Sequence, residues 1–573
     1  MTRSQIRRTW LVLAGLAFLT MVIVGRLFAF QIVQGDEWRG IEQEQVVAEP
    51  ERGVIYDRNG AVLAANGADY QVAVAPNLVI RPEEVAQALA PILEENRQYL
   101  LSQIQSDKVH VVLKSRVSTE VANAIREIPY FDDGGIFVTP MFRRIYPQGS
   151  LLSHVLGYVD FDGGGGSGLE RYYQSELAGI SAAADVNLSP LEPQVSVLAR
   201  NGADMVLTID RSVQQLVEEH LAQGLAQYGA PSGSIIVMDP RTGDILAMAA
   251  LPDFEPYSYF DYAQNEVTTR YLANPVVSAP FEPGSIMKLI TMAAALDSGT
   301  VTPATTYNDI GVMEHGGLVV YNWDRGAHGT TDMTNLLAKS LNVGAATIAV
   351  WMGQTEYYNY LLRFNFGHQT GIDLSAEAPG YLPLPGGPEY TDANLAANSF
   401  GQAFTATPLQ MITSISALAN NGTMMQPRLV REIHYPEREP VLYPPKILSQ
   451  PIRPETAQQL TNMAINAVQR EVYDAHVEGY TVAGKTGTAQ IAEGNLGYHP
   501  SDVIGAFIGW LPADDPEVII LVKVDRPQYE QWGSTTAAPI FAELVQDLVV
   551  LLDIPPDNVR LDTEIWRARQ QNE

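Results

Sequence analysis

Residues 282–296, EPGSIMKLITMAAAL, contain the most informative pattern in this sequence, both for the fold and for the chemistry. Glu282-Pro283-Gly284 is typical of a turn, and the apolar run after Lys288 predicts a helix. Ser285 and Lys288 lie three positions apart, so a helix places the hydroxyl and the amine on one face, one turn from each other. The segment therefore presents a candidate nucleophile beside a candidate base.

Two more short motifs follow downstream, Ser340-Leu341-Asn342 and Lys485-Thr486-Gly487. The chain has only 7 Lys. Chance alone predicts roughly 0.3 Ser-x-x-Lys matches and about 0.03 Lys-Thr-Gly matches. Taken singly, Ser285 also fits a helix N-cap, Ser340 and Asn342 a capping pair, and Lys485-Thr486-Gly487 a turn. The three motifs together, in this order, favour one shared site.

The composition of the chain excludes several classes of protein function. The 573 residues leave room for two to four domains, and 46% of them are hydrophobic, as in an ordinary globular protein. A net charge of −29 argues against nucleic-acid binding. Without cysteine there is no disulfide, thiolate metal site or cysteine nucleophile. The 9 His include no His-Glu-x-x-His, so we predict no metal and no cofactor.

The N-terminus predicts a membrane anchor. Residues 9–25 are uncharged and mostly apolar, and after Arg26 the apolar pattern continues to residue 33. Arginines precede this run and Asp36 and Glu37 follow it. The positive-inside rule therefore places residues 1–8 in the cytoplasm and the rest of the chain outside. A cleaved signal peptide is the competing interpretation, but no small-x-small cleavage site stands where one is needed. We expect an uncleaved single transmembrane helix over 9–33.

Beyond the anchor, the pattern predicts two α+β domains, at 34–203 and 204–573. The first is expected to have a turn at Asp57-Arg58-Asn59-Gly60. Its predicted strands are 54–56, 61–64 and 70–75, and its predicted helices are 82–104 and 118–128. The second is expected to contain a five-stranded antiparallel sheet with helices on both faces. Its predicted strands are 234–238, 245–250, 481–491, 503–511 and 517–525, and its predicted helices are 211–227, 332–351, 407–419 and 537–552.

The three motifs suit acyl transfer. A serine hydroxyl is a poor nucleophile until a neighbour removes its proton, and Lys288 can do so only when neutral. Burial and a second cation, Lys485, both favour the neutral amine. Ser340 can relay a proton, and Asn342 can hold a substrate amide.

The strand that carries Lys485 supplies the predicted binding groups. Lys485 and Thr486 can bind a substrate carboxylate, and Gly487 lets a substrate backbone approach closely. An oxyanion hole needs backbone N–H donors, for which we predict those of Ser285 and Thr488.

With these residues in place, the chain resembles the class B penicillin-binding proteins over nearly its whole length. The further matching segments are 25–31, 52–53, 57–60, 144–147, 154–158, 168–170, 172–173, 207–210, 240–243, 399–402 and 407–408. The resemblance implies a membrane-anchored peptidoglycan D,D-transpeptidase whose transpeptidase domain has the fold shared with serine β-lactamases. One departure is Tyr257, where many relatives have Asn.

The resemblance also implies the reaction and the partners. Ser285 would attack the penultimate D-Ala carbonyl of a stem peptide and pass the acyl group to a neighbouring amine, and β-lactams would acylate Ser285. Residues 34–203 would form an elongated pedestal domain, which would meet a SEDS-type glycan polymerase and other divisome proteins. The sequence Ser-Ile-Met-Lys looks more like the motif of the septal branch than that of the elongation branch. A role in elongation stays an alternative.

Other functions stay open at this point. A D,D-carboxypeptidase or a β-lactamase would use the same serine, although no Glu-x-x-x-Asn suited to a β-lactamase can be placed between Ser340 and Lys485. A β-lactam sensor would need an output domain, for which eight residues before the anchor leave no room. A catalytically idle divisome scaffold would not require all of these motif residues.

Overall fold

The computed structural model describes residues 3–28, 50–132, 135–180, 200–492 and 498–563. The chain divides into two compact units, 1–51 with 179–201, and 52–178 with 202–573. The smaller unit contains the helix Arg3–Phe28. Within the part of the chain whose side chains the structure describes, no helix is long and apolar enough to cross a membrane. Residues 29–33 of the predicted anchor, and several side chains near its start, lie outside the described set.

The larger unit contains all the strands of the described residues. In chain order they are β1 Ile55–Tyr56, β2 Val62–Val74, β3 Val111–Val117, β4 Ile136–Ile145, β5 Asp204–Leu207, β6 Ser232–Met238, β7 Ile245–Leu251, β8 Thr306–Asp309, β9 Val312–His315, β10 Leu318–Tyr321, β11 Gly329–Asp332, β12 Met424–Met425, β13 Val430–His434, β14 Val441–Leu442, β15 Ile447–Ser449, β16 Ala483–Ala492, β17 Tyr498–Leu511 and β18 Val518–Asp525.

The helices of this unit alternate with those strands. They are Pro82–Leu93, Arg97–Ile104, Thr119–Arg126, Ser153–Leu156, Gly168–Tyr172, Gln174–Leu177, Arg211–Tyr228, Tyr259–Ala263, Pro275–Ser278, Met287–Asp297, Met333–Ala338, Asn342–Met352, Gln354–Arg363, Asp392–Ser399, Pro408–Ala419, Pro454–Glu471 and Ala537–Leu551. The prediction of one helix over 82–104 is wrong. The chain turns through Glu94, whose φ is +53°, and Asn96 caps a second helix with its side chain.

A seven-stranded sheet joins the first part of this unit to the second. Its order is β14-β13-β5-β1-β2-β3, with β4 also paired to β2. Ile55 of β1 lies beside Met205 of β5 in parallel register, and β13 continues the sheet antiparallel to β5. Strands from both sides of residue 204 thus share one hydrogen-bonded ladder.

Residues from three of the segments that carry the resemblance meet beside this sheet. The Glu170 carboxylate accepts from Arg52 Nε at 2.6 Å and from Arg144 Nε at 2.7 Å, and all three side chains are buried. Removing one partner of such a buried group leaves an uncompensated charge and costs about 3–5 kcal/mol. The segments therefore share a structural role.

The predicted five-stranded antiparallel sheet is confirmed, in the order β16-β17-β18-β6-β7. Alternate residues of each strand face opposite sides, and both sides are covered. Ile235 and Val237 are fully buried with the helices Arg211–Tyr228 and Ala537–Leu551. Ile236 is fully buried on the other side, in the cluster that includes the helix Met287–Asp297. Each such side chain stabilises the fold by about 1.5–3 kcal/mol.

Candidate active site

Ser285 lies just before a helix, Met287–Asp297, in which every residue except the last is buried. A single 3₁₀ turn, Gly284–Ile286, leads into the helix Met287–Asp297, and Lys288 is the only charged side chain among its ten consecutive buried residues. Gly284 has a φ of +56°, and a Cβ there would lie 2.9 Å from the Thr488 carbonyl oxygen. Glycine thus lets the turn pass close to β16.

Lys288 joins the first two motifs. Its Nζ lies 2.9 Å from Ser285 Oγ, 3.1 Å from Ser340 Oγ, 2.7 Å from Asn342 Oδ1 and 2.6 Å from the Ser340 carbonyl oxygen. The side chain is 1% exposed. Burial, reinforced by the charge of Lys485, holds the pKa of Lys288 well below its ordinary value. The structure therefore brings together Ser285, Lys288, Ser340 and Asn342 as the sequence predicted.

The partners of Lys288 define where its lone pair points. A carbonyl oxygen and an amide oxygen can only accept, so the Ser340 carbonyl and Asn342 Oδ1 take two N–H bonds. A neutral amine has only two N–H groups, and its lone pair is then left for the serine hydroxyls. Ser285 can donate its O–H to that lone pair, which is the geometry of a general base acting on a nucleophile.

The predicted continuous helix over 332–351 is wrong, and the break forms part of the site. The chain forms two helices, Met333–Ala338 and Asn342–Met352, because Ser340 adopts a left-handed φ of +57°. That conformation is uncommon for a residue with a side chain. It is compensated by the Lys288 bonds to both the carbonyl and the hydroxyl of Ser340.

Lys485 lies on β16 and is 2% exposed. Among the described residues, its Nζ donates hydrogen bonds only to Thr486, at 3.2 Å to the carbonyl oxygen and 3.3 Å to Oγ1. Burial lowers the pKa of Lys485 to about 7, and the negative charge of Glu471 opposes that shift. In the part of the chain that the structure describes, no carboxylate lies within ion-pair distance of Lys288 or Lys485. A substrate carboxylate can therefore supply the partner that Lys485 lacks.

The β16 edge passes against the turn that carries Ser285. A Cβ at Gly487 would lie 2.8 Å from Ile286 Cγ1 and 3.1 Å from the Pro283 carbonyl oxygen, so only glycine fits the approach. Thr488 Oγ1 accepts from the Gly533 backbone N–H at 3.0 Å. The oxyanion hole from the Ser285 and Thr488 N–H groups stays a prediction.

A cavity of about 560 Å³ opens at the nucleophile. The motif residues that line it are Ser285, Ser340, Asn342, Thr486 and Thr488. Sequence reasoning assigned no site role to the other side chains of chemical interest, which are Trp323, His328, Lys339, Phe400, Gln402, Glu471 and Trp532. Phe400 and Gln402 lie in the segment 399–402 that carries the resemblance. The other five stand in no motif with catalytic spacing, so no local signal marks them.

The fold and the geometry of the site are those of a serine acyltransferase. The family model described as penicillin binding protein transpeptidase domain matches residues 233–546, and the penicillin-binding protein dimerisation domain matches 47–207. The chain belongs to the penicillin-binding protein transpeptidase family, within its class B, and has the two-domain α+β fold of that class.

Particular relatives match along most of the chain. Stage V sporulation protein D of Bacillus subtilis is 34% identical over 94% of this chain and 84% of its own length. Peptidoglycan D,D-transpeptidase FtsI of Buchnera aphidicola is 27% identical over 96% of each chain. A crystal structure of penicillin-binding protein 3 from Mycobacterium tuberculosis, complexed with aztreonam, has a TM-score of 0.68 and 26% identity. That match covers 89% of this chain and 98% of the other.

Proposed function

We propose that this chain is a peptidoglycan D,D-transpeptidase that forms peptide cross-links through a Ser285 acyl-enzyme. The observation that carries the proposal is the buried Lys288 amine, within hydrogen-bond distance of two serine hydroxyls and with no carboxylate partner among the described residues. A relative that is named as a D,D-transpeptidase over 96% of this chain supports the choice of substrate.

In the first step Lys288 takes the Ser285 proton as Oγ attacks the penultimate D-Ala carbonyl. The C–N bond breaks, and the leaving D-Ala amine receives the proton from Lys288 through Ser340. Asn342 holds the substrate amide, and Lys485 with Thr486 binds its terminal carboxylate. In the second step an amine from a neighbouring stem attacks the ester carbonyl and releases Ser285. Gly487 and Thr488 border the developing oxyanion, whose N–H donors come from Ser285 and Thr488.

β-Lactams are expected to acylate the same serine. The Mycobacterium tuberculosis structures of penicillin-binding protein 3 include complexes with aztreonam and with ampicillin. Because the strained lactam amide occupies the place of the scissile peptide, Ser285 of this chain would open it and retain the ester.

The cellular setting is proposed from the sequence. Residues 9–33 would anchor the chain, with 1–8 in the cytoplasm and both the pedestal, 34–203, and the transpeptidase domain, 204–573, outside the plasma membrane. Digestion of intact protoplasts with protease tests this topology. Loss of the catalytic domain without lysis supports it, and protection of that domain refutes it.

We propose that the protein acts in septal wall synthesis. Its proposed partners are a SEDS-type glycan polymerase and other divisome proteins. A fluorescent fusion is expected to gather at midcell, and labelling along the side wall would favour the elongation role instead. Co-purification of a SEDS-type polymerase with the full chain tests the partner.

The reaction itself is tested with purified protein. Fluorescent penicillin is expected to label the full chain stably, while Ser285→Ala abolishes the label. With a D-alanyl thioester as acyl donor and D-alanine as amine acceptor, the amide should be the main product. Free acid alone would indicate a carboxypeptidase, and rapid release of penicilloate a β-lactamase. Growth supported fully by Ser285→Ala would indicate a scaffold.

A further inference from the structure

One titratable pair in the catalytic cavity has no part in the mechanism above. His328 lines the cavity with Ser285 and Ser340, and its Nε2 lies 3.0 Å from Asp324 Oδ2. The His328 side chain is 19% exposed, so it borders the cavity while staying accessible to a substrate. In general, histidine is the side chain best suited to proton transfer near neutral pH.

Asp324 determines which nitrogen of His328 is basic. A carboxylate only accepts, so the imidazole proton sits on Nε2 and the Nδ1 lone pair remains. Among the described residues, no group donates to Nδ1. The Asp324 carboxylate also accepts from the Gly326 N–H at 2.9 Å, and that bond, followed by the contact with His328, lowers its pKa. Asp324 is therefore ionised at neutral pH and fixes the tautomer of His328.

The segment that carries the pair is tied to the second catalytic motif. Asn342 Nδ2 donates to the Tyr321 carbonyl at 3.0 Å, and the Val343 N–H donates to Asn322 Oδ1 at 3.1 Å. Trp323 Nε1 donates to the Lys339 carbonyl at 3.0 Å, one residue before Ser340. The position of His328 is thus coupled to the motif that contacts Lys288.

In the second half-reaction, one proton of the acceptor ammonium has no acceptor among the groups described so far, and a histidine could take it. An acceptor amine enters as an ammonium at neutral pH and must lose two protons to become an amide. One of them returns to Ser285 Oγ through Lys288, because that oxygen leaves the ester. The other needs a second acceptor. The other titratable side chains that line the cavity are Lys339 and Glu471. An ammonium has no lone pair to accept a proton, and a carboxylate is in general a weaker base than an imidazole.

We infer that His328, oriented by Asp324, is the base that deprotonates the acceptor ammonium before it attacks the Ser285 ester. Nδ1 takes one proton from the ammonium, and the amine lone pair forms the C–N bond. The C–O bond to Ser285 breaks, and Oγ takes the second amine proton through Lys288. The imidazolium then gives its proton to solvent. His328 is a catalytic residue in this scheme and Asp324 a positioning residue. The inference rests on the proposed transpeptidation.

The test compares the two half-reactions in the full-length protein. Acylation is followed with fluorescent penicillin, and transfer with the D-alanyl thioester and D-alanine. General-base assistance of about 100-fold is expected. His328→Asn should therefore lower the ratio of the transfer rate to the acylation rate about 100-fold, and Asp324→Asn should lower it about tenfold. Added imidazole should restore transfer in His328→Ala.

His220→Asn is the matched control, since His220 Nε2 pairs with Asp547 Oδ2 at 2.9 Å on helices away from this cavity. Its ratio should equal that of the wild type. The inference is overturned if His328→Asn leaves the ratio unchanged, or lowers both rates in parallel as a folding defect would. Failure of the proposed function looks different, because the wild type would then show no penicillin label or no amide product.

Discussion

Replacing Lys485 by methionine is expected to stabilise the fold while it destroys the site. The buried amine has its pKa lowered by burial from 10.5 to about 7. The unfolded chain therefore binds a proton below pH 10.5 that the folded chain takes up only below about 7. This difference costs stability progressively as the pH falls from 10.5 to 7, and the cost is constant below 7.

The magnitude follows from those two values. With both pKa values in the linkage relation, the cost is about 4 kcal/mol at pH 7 and about 1 kcal/mol at pH 9.5. Lys485→Met keeps a similar volume and removes the charge, so its gain in the free energy of unfolding should shrink by about 3 kcal/mol between these pH values. Urea titrations at both pH values measure it, and fluorescent penicillin measures the accompanying loss of acylation.

Lys523→Met is the matched control on β18, a strand of the same sheet that is separated from β16 by β17. Lys523 is paired with Asp525, so removing its charge loses an ion pair and should give no pH-dependent gain. The reasoning is refuted if Lys485→Met gives no gain at pH 7, or a gain of the same size at pH 9.5. Either result would mean that burial does not lower the pKa of Lys485 to about 7.

Three further changes test other parts of the site. Lys288→Ala should slow acylation by about 10²–10⁴-fold with unchanged circular dichroism, and labelling at the wild-type rate would contradict the base assignment. Glu471→Gln removes the charge that supports the protonated form of Lys485, so the alkaline limb of the acylation pH profile should move to lower pH. Exposed Glu478→Gln should leave that limb in place. A Cβ at Gly533 would lie 2.2 Å from a backbone carbonyl oxygen of β16. Gly533→Ala should therefore cost about 1–3 kcal/mol in urea unfolding and slow acylation, and wild-type values would show that the edge of β16 can yield.

Most of the catalytic sheet could be predicted from local pattern. The hairpin of β6 and β7 follows from two apolar runs around the turn at Asp239-Pro240, and the last three strands also read as apolar runs. The β1–β5–β13 ladder could not be found this way, because its partners lie far apart in sequence and β13 is short.

The sequence predicted the site residues that stand in short motifs. It did not predict those whose conformation or position depends on tertiary contacts. Ser285 and Lys288 follow from helical spacing. The break at Ser340 does not, since the local sequence reads as one helix and the left-handed φ is held by Lys288 from another helix. His328 and Asp324 were missed for a similar reason. Their segment is irregular, and its position depends on hydrogen bonds that Asn342 and Val343 donate to it.

The ladder that crosses residue 204 bears on how inhibitors of this protein are best screened. A truncated protein that begins at Asp204 would strip β1 from β5 and leave a row of unpaired N–H and C=O groups at a fresh sheet edge. Such an edge invites association between copies, which distorts apparent potency by trapping compounds in aggregates. A soluble version that starts upstream of Arg52 keeps that edge covered and retains the buried Glu170 pairs. Light scattering of the two versions at equal concentration would show the difference before any compound is added.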